Sequence, residues 1–242
     1  MFFLFYPYGI ILQAIAILHF ARRRPDTFWL WIIIIGGGLG AAAYIVIEVI
    51  PDAGLLRSTF QIFPRRRHIK QLEAAIVDNP SVGNYEELGY LYLEDKKYAQ
   101  ARACFDRIIA QADTTDPRYR RALAALELGD YPAAVADLEQ VVAADAKFDY
   151  NRATALLAFA LGKVGQTDRA LALFAEVTQV STLSETEYNY ASLLAQEGRA
   201  AEAREWAERL LRKKVTMPSY LRRRERPWFR RASALLRRLP RK

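Results

Sequence analysis

Groups that carry covalent or redox chemistry are almost missing from this chain. His19 and His68 are its two histidines, in unrelated contexts, and Cys104 is its single cysteine. One cysteine cannot close an intramolecular disulfide, and without a C-x-x-C pair there is neither a zinc clamp nor a dithiol redox couple. No P-loop, no G-x-S-x-G and no metal-ligand spacing occurs. These absences set P-loop nucleoside-triphosphatase, serine-hydrolase and metalloenzyme chemistry aside, so the chain is expected to be no enzyme and to need no catalytic residue, cofactor or metal.

Charge is missing from one end. Residues 1–56 carry only Arg22, Arg23, Arg24, Asp26, Glu48 and Asp52. Apolar runs extend from Phe2 to Phe20 and from Phe28 to Ile47, each near the roughly 20 residues that cross a hydrocarbon core about 30 Å thick. So short a polar link as Ala21 to Thr27 forces two antiparallel helices. A two-helix transmembrane hairpin is therefore expected over 1–52, with Trp29 and Trp31 at headgroup level. Gly36, Gly37, Gly40 and Ala41 have the small-xxx-small spacing of a helix-packing face, against the first helix or, in a homo-oligomer, against a second copy. Gln13 is read as a hydrogen bond within the hairpin.

The run His19-Phe20-Ala21-Arg22-Arg23-Arg24-Pro25, followed by Trp29, Trp31 and the glycine-rich stretch ending Ala43-Tyr44-Ile45-Val46-Ile47-Glu48, resembles the amino-terminal membrane hairpin ahead of phospholipase D-type cardiolipin synthases. That family works through paired H-x-K-x-x-x-x-D motifs. Here His68-Ile69-Lys70 stands alone, with Ala75 where the aspartate belongs, so the resemblance implies the hairpin and not the activity. It also implies an integral membrane protein, expected in a bacterial inner membrane.

Behind this stretch the charge reverses twice. Residues 71–211 hold 14 Lys plus Arg against 23 Asp plus Glu, a net of −9. Residues 212–242 hold 13 Lys plus Arg against Glu225 alone, a net of +12. The acidic part is repetitive. Ala101, Ala134, Ala170 and Ala203 are 33, 36 and 33 residues apart. Four residues beyond each come Phe105, Leu138, Phe174 and Ala207, and three further Ile108, Val141, Val177 and Leu210. A small residue at a helix crossing with apolar residues one and two turns on is the inner stripe of a second helix lying on a first.

Matching first helices carry Leu88-Gly89 and Tyr92, Leu157-Ala158 and Leu161, and Tyr190-Ala191 and Leu194. In the second repeat Arg121 stands where leucine is usual. Together these residues resemble the tetratricopeptide repeat, whose helix pairs of about 34 residues stack into a superhelix. The resemblance implies a protein- or peptide-binding groove lined by Glu86, Tyr90, Tyr119, Leu123, Phe159, Tyr188 and Asn189.

The expected fold is all-α. A transmembrane hairpin (1–52) leads through a linker and lead-in helix (53–80) to a solenoid of about four tetratricopeptide-type helix pairs (81–216) and a basic carboxy-terminal helix (217–242). Trp228, Ala232, Leu235, Leu236 and Leu239 give that last helix one apolar face, which either caps the solenoid or meets a partner. Arg22, Arg23, Arg24, Arg65, Arg66, Arg67, Arg230 and Arg231 are read as contacts to anionic lipid, with nucleic acid a further reading of the tail. Basic residues near the membrane favour a cytoplasmic solenoid. The expected role is a membrane-anchored, non-enzymatic scaffold or adaptor for a protein or peptide. The alternative is a subunit or regulator of a membrane-lipid or envelope-assembly complex.

Overall fold

In the computed structural model, residues 6–23, 27–49 and 55–240 are described, without side chains at 6–7, 22–23, 49, 55–64 and 219, and the regular elements among them are helical. They form two compact units, divided after residue 71.

In the first unit, α1 (Tyr6–Arg23) packs against α2 (Phe28–Ile35) and α3 (Gly37–Tyr44), and a π-turn (Ile45–Val49) follows. The second apolar run does not form one helix. Gly36 closes α2 by donating its N–H to Ile32 O at 2.9 Å, and Gly37 adopts φ +56°. That left-handed conformation, open to glycine without steric cost, stops helix propagation and starts α3 in a new direction. Each piece has 8 residues, so each is about 12 Å long against the roughly 30 Å of a hydrocarbon core. In α1, Tyr8, Gln13 and His19 interrupt the apolar surface and arginines end it. Among the described residues no helix is long and apolar enough to cross a membrane. The expected transmembrane hairpin is thus not formed, and the integral bacterial inner-membrane location with a cytoplasmic solenoid falls with it.

The small residues have another task. A Cβ on Gly40 would stand 1.9 Å from Ile32 O, and one on Gly36 2.9 Å from Gly40 Cα, so these glycines let α3 lie close against α2. The near contact with α1 is made by Gly38, whose Cβ would be 3.0 Å from Gly9 Cα. Ala16, Ile33, Ala41 and Tyr44 are buried at the centre. Gln13 Nε2 donates to Ile33 O at 3.0 Å, and His19 Nδ1 lies 2.9 Å from Tyr44 Oη. Ile10, Ile11, Ile34, Ile35, Leu39 and Trp31 remain exposed. Of the arginines read as lipid contacts, Arg24 and the side chains of Arg22 and Arg23 lie outside the described residues. On α4 (Leu55–Asp78), Arg65 is half-buried and Arg66 and Arg67 are exposed.

The second unit stacks four helix pairs: α5 (Val82–Glu94) with α6 (Tyr98–Gln111), α7 (Thr115–Leu128) with α8 (Tyr131–Ala144), α9 (Phe148–Lys163) with α10 (Thr167–Val180), and α11 (Ser184–Gln196) with α12 (Ala200–Thr216). All twelve stripe positions, from Ala101, Phe105 and Ile108 to Ala203, Ala207 and Leu210, are buried. Alanine at each crossing lets the paired helices approach, and in the first three pairs the larger residue a turn later, Phe105, Leu138 or Phe174, fills the space beside it. Gly89 answers Phe105 in this way, since a Cβ there would stand 2.8 Å from the ring. Cys104 lies in the same layer, and burial pushes its thiol up to about 11.

Local chemistry sets the breaks. Gly129, Gly165 and Gly198, at φ +76°, +82° and +74°, end the first helix of three pairs. In the first pair Lys96 takes that conformation at φ +59°. Ser81 Oγ accepts from Asn84 N, and Asp130 Oδ1 from Ala133 N, each at 3.3 Å, capping α5 and α8. The longer 36-residue spacing also has a physical site. Asp149, Tyr150 and Asn151 run left-handed (φ +48°, +55° and +65°) before α9 proper, and they take up the additional length.

Arg121 enters the second pair as part of an ion network rather than as a core apolar group. Its Nε and Nη2 donate to Asp137 at 2.7 and 2.6 Å, and its Nη1 to Asp106 at 2.8 Å, tying α7 to α8 and α6. At the far end α13 (Ser219–Arg224) leads into α14 (Arg226–Arg238), which packs on α12 and α11. Phe229 and Ala232 are buried there with Ala191, Ala207 and Leu210. Arg204 Nη2 donates to Pro240 O at 2.7 Å and ties the residues after α14 to α12. The apolar face of the basic helix is thereby used as a cap on the last repeat.

Candidate functional site: the groove of the helix pairs

The first helices of the pairs line one open groove of about 680 Å³. Its floor repeats along the array. Tyr90, Leu123, Phe159 and Ser192 occupy equivalent positions, and Glu94, Glu127, Lys163 and Gln196 the positions one turn on. One turn of helix separates the two rows, so both face the same way. Tyr98 and Tyr131 enter from the starts of α6 and α8, Arg120 and Arg152 from α7 and α9, and Trp228 with Arg231 from the capping helix.

Five of the seven expected groove residues, Tyr90, Leu123, Phe159, Tyr188 and Asn189, line this cavity. Two do not. Glu86 lies beside it and accepts from Tyr90 Oη at 3.5 Å. Tyr119 is only 1% exposed. Its ring packs edge-on against Phe148 at 5.1 Å, and its hydroxyl donates to Asp149 at 2.5 Å. Tyr119 therefore belongs to the packing between α7 and α9, and the expectation for it is corrected.

One edge of the groove is a ladder of polar contacts between successive first helices. Tyr90 Oη donates to Asp116 at 2.5 Å, Tyr119 Oη to Asp149, and Arg152 Nη2 to Glu185 at 3.3 Å. Burial, then the carboxylate beside it, pushes the Tyr90 hydroxyl up to about 12. The same causes raise Tyr119 further. Both remain neutral donors at ordinary pH.

Three of the four groove cations sit over aromatic faces, and the fourth, Arg152, pairs with Glu185. Arg120 lies 5.1 Å from the Tyr90 ring centre, Lys163 5.3 Å from Phe159 and Arg231 4.7 Å from Trp228. Arg120 is also paired with Asp116 at 3.2 Å. The surface thus offers rings, flat aliphatic area and largely compensated charge, which suits the side chains of an extended polypeptide better than a single small anion. Among the described residues no group of three His, Cys, Asp or Glu could hold a metal ion. Tyr98 and Tyr131 are groove residues beyond those expected, and their shared place three residues before a stripe alanine is a signal in the sequence itself. Trp228 has no such signal, because nothing local shows that the cap reaches the groove.

Residues 82–113 and 119–178 each match a family model described as tetratricopeptide repeat, so the chain carries such repeats. Solved structures agree. The chain is similar to YrrB, described as a TPR protein with an unusual peptide-binding site, at 21% identity and a TM-score of 0.55, over 68% of this chain and 84% of that one. It is similar to MamA at 15% identity and 0.56, over 69% and 95%. For a thermophilic TPR protein from Thermus thermophilus the figures are 15% and 0.53, over 74% and 94%. At these identities the likeness is one of fold. No functionally curated protein matches in sequence. The resemblance of residues 1–52 to the cardiolipin-synthase hairpin has no counterpart in these matches.

Proposed function

We propose that this protein is a non-enzymatic binding scaffold whose groove receives an extended segment of a partner protein. The observation that carries the reading is the repeating floor of Tyr90, Leu123, Phe159 and Ser192, open to solvent and flanked by rings from three further helices. An extended chain presents side chains at regular intervals, and a solenoid presents one pocket row per repeat, so each repeat adds contacts of the same kind. Half-exposed aromatic rings supply much contact area at little entropic cost, as interface anchors do. The peptide-binding site named for YrrB is consistent with this use of the architecture, and it is a property of that protein.

The test places a photo-crosslinking amino acid at Phe159 or Tyr188 in the groove and, for comparison, at the exposed Glu176 on α10. Groove positions should capture a defined partner that Glu176 does not. Phe159→Ala should then weaken that partner by about 2 kcal/mol or more, as for an interface anchor. Equal capture from groove and outer face, or full affinity in Phe159→Ala, would overturn the reading.

A further inference from the structure

A second concavity, of about 820 Å³, opens where α12, α13 and α14 meet. Lys214, Arg222, Arg223, Arg226, Arg230 and Arg237 line it together with Ser233 and the buried Phe229, and no carboxylate does. Several arginines elsewhere in the unit are matched to carboxylates. Arg102 pairs with Asp130, Arg118 with Asp113, Arg121 with Asp137 and Arg152 with Glu185. None of the six cleft cations makes an ion pair with a described residue, and neighbouring Glu225 pairs with Arg224, outside the lining. The six side chains are exposed, so water and salt screen part of their mutual repulsion, and a bound multivalent anion relieves the rest.

We propose that this cleft binds a compact anion carrying two or more phosphate groups. Five of its six cations are arginines, whose planar forks take phosphate oxygens in pairs. The apolar face of α14 is already spent on Ala191, Ala207 and Leu210, and the exposed apolar side chains nearby, Val215 and Tyr220, are single residues rather than a helix face that could insert among acyl chains. Phe229 is 4% exposed and packs with Ala191, Ala207 and Leu210, so the cleft lining offers no aromatic platform on which a base could stack. What remains is concave, cationic and hydrogen-bonding. That fits a small oligophosphate held from several sides.

Calorimetric titration of the full chain with sodium tripolyphosphate tests this, beside equal ionic strength of sulfate, anionic phospholipid vesicles and duplex DNA. Saturable one-to-one binding of tripolyphosphate that weakens with salt is expected. The double variant Arg226→Ala/Arg230→Ala should lose about ten-fold or more in affinity, as loss of charge-assisted phosphate contacts implies. Arg169→Ala/Arg199→Ala removes the same charge from exposed positions paired with Glu139 and Glu202, and should bind as the parent does. Arg230→Lys keeps charge and fold while removing one fork, and should bind several-fold more weakly. No saturable binding, an equal loss in the control pair, or no loss in Arg230→Lys would overturn the proposal. So would cleft-dependent binding of vesicles or DNA tighter than that of tripolyphosphate at equal phosphate, since the occupant would then be a surface or a polymer.

Discussion

Arg121→Leu places the usual apolar residue in the second repeat, and it should nonetheless destabilise the protein. Asp137 is buried, and Arg121 holds both of its oxygens, at 2.6 and 2.7 Å. With the guanidinium gone, the nearest cation is Arg118 Nη1 at 3.6 Å, too long for a good hydrogen bond. Breaking a buried pair from one side costs about 3–5 kcal/mol, because the remaining charge stays desolvated. Arg121 keeps some contact with water and Arg118 remains nearby, so the expected loss is at the lower end, about 3 kcal/mol. Removing both charges removes the penalty. The double variant Arg121→Leu/Asp137→Leu should return to parental stability or exceed it, since apolar replacement of a buried pair is often neutral or stabilising by about 1–4 kcal/mol. Urea unfolding of the full chain and its three variants closes the cycle, which should show a coupling of about 3 kcal/mol, at the upper end of the usual range. A single variant within about 0.5 kcal/mol of the parent, the scatter of ordinary surface changes, would refute the reasoning. So would a double variant less stable than Arg121→Leu.

Three further outcomes follow from single positions. Lys96→Gly should stabilise by about 1 kcal/mol in urea unfolding, because a left-handed residue with a Cβ costs roughly that much and the other three pairs already have glycine there. Gly89→Ala should destabilise by about 1–3 kcal/mol, since the fully buried Phe105 ring has no free space to move into; an unchanged melting curve would show that the layer is looser than its contacts imply. Tyr90 has a folded-state pKa raised to about 12, against about 10 in an unfolded chain, so its contribution is complete below pH 10 and is lost as pH rises towards 12. Stability should fall across that window and fall less in Tyr90→Phe, with tyrosinate absorbance of the folded parent lagging behind that of the unfolded chain.

The repeat array is legible because its signal is redundant. A lone alanine says little, but one recurring with an apolar residue four positions on, larger in three of the four repeats, and another after seven fits a helix crossing repeated along the chain, and all twelve positions are buried. The amino-terminal unit is not legible in the same way. Counting apolar residues measures whether a segment tolerates a nonpolar solvent, and it assumes that the helix continues. Gly36 and Gly37 satisfy that count equally well as packing residues or as a break. Only the backbone decides, and φ +56° at Gly37 ends the helix. Arg121 is the opposite case, where one residue departs from the apolar pattern and its partners, Asp106 and Asp137, lie 15 and 16 positions away.

The groove shows why a repeat register alone misassigns a tyrosine. Glu86, Tyr119, Ala155 and Tyr188 occupy one equivalent position, just as Tyr90, Leu123, Phe159 and Ser192 occupy another. The second row lines the groove in every repeat. In the first row Tyr119 points toward the next first helix along the stack, whereas Glu86, in the first pair, stays half-buried beside the groove. Tyr119 and Ala155, in the middle of the array, are covered, and Tyr119 meets Phe148 and Asp149. Tyr188 belongs to the last pair and has no further first helix to cover it. It meets Trp228 of the cap at 5.7 Å and keeps one side on the groove. Exposure in a solenoid thus depends on a residue's place in the stack as well as its place in the repeat, and that place is fixed only when the cap is known.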